Sequence, residues 1–145
     1  MCAQTPAPFC MLNRTTPLRI LLVDDERYMR VFVGKVLSSF ISCTITEARD
    51  GQDAVDQSRA SDPELIMLDI NMPRVDGVQA LAQIRTFKPD TPIVMLTSIS
   101  EEAIVEECVT NGASSFIRKD LRADLLQVEL QEMLKQFFPD EPNSP

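Results

Sequence analysis

The sequence predicts an α/β fold, a doubly wound parallel sheet with helices on both faces. Two observations carry this. Short apolar runs alternate five times with longer stretches of helical pattern. Three of the runs, Leu18–Val23, Glu64–Leu68 and Pro92–Leu96, are apolar throughout but for Arg19 and Glu64 near their starts, rather than alternating, as in strands buried on both faces. At 145 residues with 44% hydrophobic and 25% charged, the chain is the right size for one domain around a single packed core.

The elements follow in order. Leu18–Val23 is a buried strand, and the next stretch places Met29, Phe32, Val33, Val36 and Leu37 on one side of a helix. Cys43–Glu47 is a weaker, half-polar strand. After Asp50-Gly51, residues 52–60 form a short helix, and Glu64–Leu68 is the third strand. Residues 76–86 form a helix carrying Val78, Leu81 and Ile84, followed by the strand Pro92–Leu96. The Glu-rich stretch 100–110 ends at Asn111-Gly112, a helix stop; Ser114–Arg118 is the last strand and 120–138 the last helix. Right-handed βαβ connections then give a parallel sheet. Pro6, Pro8 and Pro17 mark residues 1–17 as a flexible extension; Pro139, Pro142 and Pro145 mark 139–145 as a flexible tail or truncated linker.

Composition removes several function classes. There is no histidine, so imidazole bases, histidine triads and histidine metal ligands are excluded. A net charge of −8 lacks the basic footprint for nucleic acid or an anionic membrane and suits cations and basic partners. Cys2, Cys10, Cys43 and Cys108 contain no C-x-x-C pair and are read as free thiols of a reducing cytosol. No apolar run approaches the ~20 residues that span a bilayer, so the expectation is a soluble, cytoplasmic protein.

In parallel α/β sheets ligands sit beyond the carboxyl ends of the strands. There the sequence delivers Asp24 and Asp25 after the first strand, Asp69 after the third, Thr97 after the fourth and Lys119 just past the fifth. Each has an ordinary explanation: helix cap, turn residue, solvated lysine. Together they place three carboxylates where their repulsion favours a hard, oxygen-preferring cation such as Mg²⁺, beside a hydroxyl and an ammonium suited to phosphoryl oxygens. This is the equipment of phosphoryl transfer.

These residues stand in motifs that resemble the receiver domain of two-component response regulators: Val23-Asp24-Asp25, Leu68-Asp69-Ile70-Asn71-Met72-Pro73 with Asp76-Gly77, Leu96-Thr97-Ser98, Gly112-Ala113 and Phe116-Ile117-Arg118-Lys119. The resemblance covers roughly residues 18–138. It implies a (βα)5 flavodoxin-like sheet of strand order 2-1-3-4-5. It makes Asp69 the phosphoacceptor, receiving its phosphoryl group from a histidine kinase or histidine phosphotransfer protein, which agrees with a chain that has no histidine of its own. Asp25, Asp69 and the main-chain carbonyl of Asn71 would bind Mg²⁺ directly, and Asp24 through water. Lys119 and Thr97 would hold phosphoryl oxygens. Thr97 and Phe116 would form the switch, read by a downstream protein on the fourth helix, fifth strand and fifth helix. The chain would be a phosphoacceptor and not a stand-alone enzyme.

The chain departs from that pattern at three places. Asp120 replaces the usual proline after the lysine; because a cis non-proline bond costs about 2.5–4 kcal/mol, a trans bond, a slightly displaced Lys119 and an Asp120 cap on the last helix are expected. Ile99, two residues after Thr97, stands with Asn71 where the attacking water passes, and its bulk is expected to lengthen the phosphorylated lifetime. Residues 1–17 have no counterpart. Two surfaces invite partners. Glu101, Glu102, Glu106 and Glu107 are a solvated face or an acidic docking patch. The last helix has more apolar residues, Leu121 to Phe138, than one stripe of ~100° can bury, which makes it a candidate homodimer or partner surface. The competing functions are an unphosphorylated scaffold of the same fold, disfavoured by the intact acidic set, and a haloacid dehalogenase type phosphohydrolase, disfavoured by Asn71 where a second acid is required.

Overall fold

In a computed structural model, which describes residues 16–70, 72, 76–98 and 104–139, five strands alternate with five helices. They are β1 (Leu18–Val23), α1 (Arg27–Ser38), β2 (Cys43–Ala48), α2 (Gly51–Ala60), β3 (Leu65–Asp69), α3 (Gly77–Phe87), β4 (Ile93–Thr97), α4 (Val105–Thr110), β5 (Ser115–Arg118) and α5 (Ala123–Phe137). The sheet is parallel throughout, in the order β2-β1-β3-β4-β5. The predicted architecture and strand order are those observed. Strand order reverses between β1 and β3, so the expected crevice lies at their carboxyl ends.

The pleat divides the apolar strand residues between two cores. Leu18, Ile20, Leu22, Leu65, Met67, Val94 and Leu96 join Val33, Leu37, Leu126, Leu130 and Leu134 under α1 and α5. Leu21, Val23, Ile66, Leu68, Ile93 and Met95 join Ala54, Val55, Leu81, Ile84 and Cys108 under α2, α3 and α4. Each central strand therefore feeds both layers, which is why its sequence reads as an apolar run with little alternation. β2 lies at the edge, and its half-exposed pattern explains its weaker signal.

Local chemistry sets the boundaries. Asp50 caps α2 by accepting from the Asp53 N–H at 2.8 Å, and Asp76 caps α3 in a reciprocal capping box with Gln79. The stop at Asn111-Gly112 is real: Gly112 adopts φ +100°, a conformation open to glycine. The last helix corrects one expectation. It begins at Ala123 with Arg122 at the N-cap position, and Asp120 does not cap it. The Asp120 carboxylate instead takes both Nε and Nη2 of Arg118 at 2.9 Å, a charge-assisted fork that outcompetes neutral N–H donors. No peptide among the described residues is cis, as expected for Lys119–Asp120.

Of the nine large apolar residues from Leu121 to Phe138, Leu126, Leu130, Met133 and Leu134 are buried, and Leu121, Phe137 and Phe138 pack against the core. Leu125 and Val128 are the exposed pair. No helix among the described residues is long and apolar enough to cross a membrane. The predicted extension and tail, Asn71, Ile99, Glu101 and Glu102 lie in whole or in most part outside the described residues.

A guanidinium that the sequence did not flag ties the amino-terminal edge together. Arg85 on α3 donates to the carbonyls of Gly112 at 2.9 Å, Lys88 at 2.8 Å and Thr91 at 2.6 Å, and to the Ser114 hydroxyl at 3.1 Å. Arg85→Met retains the stem and strands these acceptors. Denaturant unfolding should show a loss of roughly 1.5–3 kcal/mol, as for charged hydrogen bonds, against no change for Gln136→Ala at an exposed position of α5.

Candidate functional site

The alternation that divides the core also sorts the residues at the strand ends. Asp69 closes β3, and Asp24 and Lys119 follow β1 and β5 while still bonded to their neighbours: the Asp24 N–H donates to the Ala48 carbonyl at 3.2 Å and the Lys119 N–H to the Thr97 carbonyl at 2.9 Å. These three residues share one parity, and their side chains meet. The Lys119 ammonium lies 2.9 Å from Asp69 Oδ1 and 3.3 Å from Asp24 Oδ2. Thr97 and Phe116 share the other parity, and Phe116 packs against the core under α2, α3 and α4.

Asp69 is 0% exposed and Asp24 1%, whereas Asp25 is exposed. Two carboxylates this deep need compensation. Lys119 supplies it to both, and the Glu26 N–H adds a hydrogen bond to Asp24 Oδ1 at 2.9 Å. Burial raises the Asp24 pKa above its ordinary value, and the Glu26 N–H and the ammonium oppose that rise without cancelling it. Burial likewise pulls Lys119 down, but the hydrogen bond and charge of Asp69, helped by Asp24, prevail and hold it above the usual lysine value. Lys119 is therefore a fixed cation.

Oxygens of Asp24, Asp25 and Asp69 lie within 4.8 Å of one another. Three hard oxygen donors converging from two neighbouring strands fit a small divalent cation such as Mg²⁺, with Asp25 on the solvent side to admit it. The glycine at the start of α3 keeps this corner tight. A Cβ at Gly77 would collide with the Asp69 carbonyl and lie 2.7 Å from the Ile70 Cα, so only glycine lets α3 begin directly beneath the Asp69 backbone.

The structure thus brings together Asp24, Asp25, Asp69 and Lys119 as the sequence anticipates. The absent proline does not prevent Lys119 from reaching both carboxylates. Thr97 is buried at the same edge, with its hydroxyl donating to the Ser98 carbonyl at 3.1 Å. A contributor that sequence reasoning missed is Arg30 on α1, whose Nη1 donates to the Asp24 carbonyl at 2.8 Å and whose Nε meets Glu47 at 2.7 Å. Its only sequence signal is a cation within two helical turns of an acidic pair.

This geometry has relatives. The response regulator receiver domain family matches residues 20–131. The chain belongs to that family. It is similar to the chemotaxis protein CheY of Listeria monocytogenes, 31% identical over 118 residues that cover 81% of this chain and 99% of that protein. The CheY of Bacillus subtilis is 33% identical over 73% of this chain and 88% of its own length. Among solved structures, the response regulator domain of Thermotoga maritima CheB superposes with a TM-score of 0.75 at 32% identity, covering 88% of this chain and 100% of that one. The receiver's acidic cluster is of the kind in which the family holds Mg²⁺.

The raised Asp24 pKa gives this receiver a pH signature. Its folded form holds the Asp24 proton more tightly than the unfolded chain, so this carboxyl favours folding at low pH, and that contribution is lost as pH rises through the raised value. Above it the buried charge is a cost that a bound cation offsets. Mg²⁺ should therefore raise the Tm at neutral pH, by the mass-action increment of about 2.7 kcal/mol at 100 times the dissociation constant. The increment should shrink on acidification before pH reaches 3.8, the ordinary value for this group, as thermal melts with and without Mg²⁺ across pH will show.

Proposed function

We propose that the protein is a phosphorylation-controlled signalling switch, in which residues 18–138 form the receiver and Asp69 accepts a phosphoryl group from a histidine kinase or histidine phosphotransfer protein. The observation that carries this reading is the fully buried Asp69 carboxylate held 2.9 Å from the Lys119 ammonium inside a three-carboxylate cluster. Burial strips the carboxylate of water, and the ammonium fixes one oxygen in place. An Asp69 oxygen attacks phosphorus, the phosphorus–nitrogen bond of the donor imidazole breaks, and an acyl phosphate forms.

In this reading Asp25, Asp69 and the Asn71 carbonyl bind Mg²⁺ directly, and Asp24 binds it through water. Held there, the cation would supply positive charge to offset the carboxylates and the phosphoryl oxygens. Lys119 moves with the new charge by exchanging part of its contact with Asp69 for a phosphoryl oxygen. Thr97 gives up its bond to the Ser98 carbonyl and donates to another phosphoryl oxygen, and Phe116 turns inward behind it. Their shared parity on the sheet supports that coupling. Phe116 lines a groove of about 480 Å³ with Ile117, Glu129, Glu132 and Met133 between β5 and α5, so its movement alters the α4-β5-α5 surface that a downstream protein would read. The exposed Leu125 and Val128 on α5 supply the apolar part of a homodimer or partner contact, and Glu106 and Glu107 on α4 its acidic part. Chemistry is limited to the chain's own phosphorylation and dephosphorylation.

The test is intact-mass analysis after exposure to a small phosphodonor such as acetyl phosphate. Wild type should gain one phosphate only with Mg²⁺ present, Asp69→Asn none, and Lys119→Ala markedly less; phosphate on Asp69→Asn would reject Asp69 as acceptor. The bulk of Ile99 is tested separately by following decay of the acyl phosphate. Ile99→Glu should shorten its lifetime several-fold, and an unchanged lifetime would remove Ile99 from the account.

A further inference from the structure

Asp25 is the exposed member of the acidic cluster, and among the described residues its carboxylate takes no hydrogen bond or ion pair. An exposed, unsupported aspartate samples several rotamers, yet its oxygen lies with those of Asp24 and Asp69 inside 4.8 Å. Its placement therefore depends on the backbone that carries it, and that backbone is clamped. The Asp24 N–H donates to the Ala48 carbonyl at 3.2 Å, and the Asp24 carboxylate accepts from the Glu26 N–H at 2.9 Å. The Asp24 carbonyl takes Arg30 Nη1 at 2.8 Å. That carbonyl belongs to the same rigid plane as the Asp25 N–H and fixes the direction in which the Asp25 Cα leaves it.

Arg30 is itself held. Its Nε meets Glu47 Oε1 at 2.7 Å, its side chain is only 13% exposed, and Glu47 sits on β2 beside Leu22, two residues before Asp24. One planar fork thus spans α1, β2 and the β1 carboxyl end. A lysine presents its donors from a single point on a flexible stem and does not reproduce this planar fork.

We propose that Arg30 is a positioning residue for the cation: by fixing the Asp24–Asp25 peptide it aims the Asp25 carboxylate at the point where Asp24 and Asp69 converge. This rests on the cation reading given above. It makes a prediction of distinctive sign. A guanidinium acting only as a nearby positive charge opposes Mg²⁺, so its removal would tighten binding. A guanidinium acting through the peptide supports Mg²⁺, so its removal weakens binding.

Calorimetric titration of the full chain with MgCl2, without any phosphodonor, separates these. Arg30→Met, which keeps the stem, should raise the Mg²⁺ dissociation constant about 10–100-fold, the range for residues that orient metal ligands. Arg30→Lys keeps the charge and should also weaken binding; it carries the test if Arg30→Met does not fold. Unchanged or tighter binding in Arg30→Met, or full affinity in Arg30→Lys, overturns the proposal while leaving the function intact. Absence of Mg²⁺ binding by wild type, with Asp25→Ala as the reference for a damaged site, overturns both.

Discussion

Two carboxylates with almost no exposure stand at the ends of neighbouring strands, and the arrangement is tenable because one ammonium reaches both. Lys119 lies 2.9 Å from Asp69 and 3.3 Å from Asp24. A buried charge pair of this kind is held against a desolvation penalty of several kcal/mol per ion, so it adds little to stability and a great deal to definition. Removing the ammonium would leave two uncompensated charges at the crevice. Keeping it leaves a cluster of three carboxylates around one ammonium, still net negative and open to a cation.

The sheet order makes this contact possible. β3 lies between β1 and β4, and the pleat sets Asp24, Asp69 and Lys119 on one parity with Thr97 and Phe116 on the other. The fold therefore separates two tasks by side-chain direction alone. One face of the strand ends collects negative charge and the lysine. The opposite face abuts the core beneath α2, α3 and α4, where the proposed switch residues Thr97 and Phe116 lie.

Much of this was legible in the sequence for identifiable reasons. Central strands that feed two cores must be largely apolar, so β1, β3 and β4 announce themselves, and Asp24, Asp25 and Asp69 at the ends of β1 and β3 fall at the carboxyl edge. What escaped were interactions with no periodic signature. Arg30 and Arg85 lie on polar helix faces like any solvated arginine, and only the fold shows that one serves Asp24 while the other serves Gly112 and Thr91. The partner of Asp120 was misjudged because an N-cap is a common fate for an aspartate after a strand; Arg118, two residues earlier, offered a stronger donor. The surplus of apolar residues in α5 was countable in advance, but the outward direction of Leu125 and Val128 required the helix phase set by Leu126, Leu130 and Leu134.

The contact between Lys119 and Asp24 spans 95 positions of sequence. During biosynthesis β1, β2 and β3 emerge with their carboxylates well before β5 exists. At 5–20 residues per second the acidic pair waits on the order of several seconds for its counter-charge. A nascent chain, or one clipped ahead of β5, thus carries two carboxylates without the ammonium that pairs with them, and the proposed reception of a phosphoryl group would be reserved for chains whose last strand has docked.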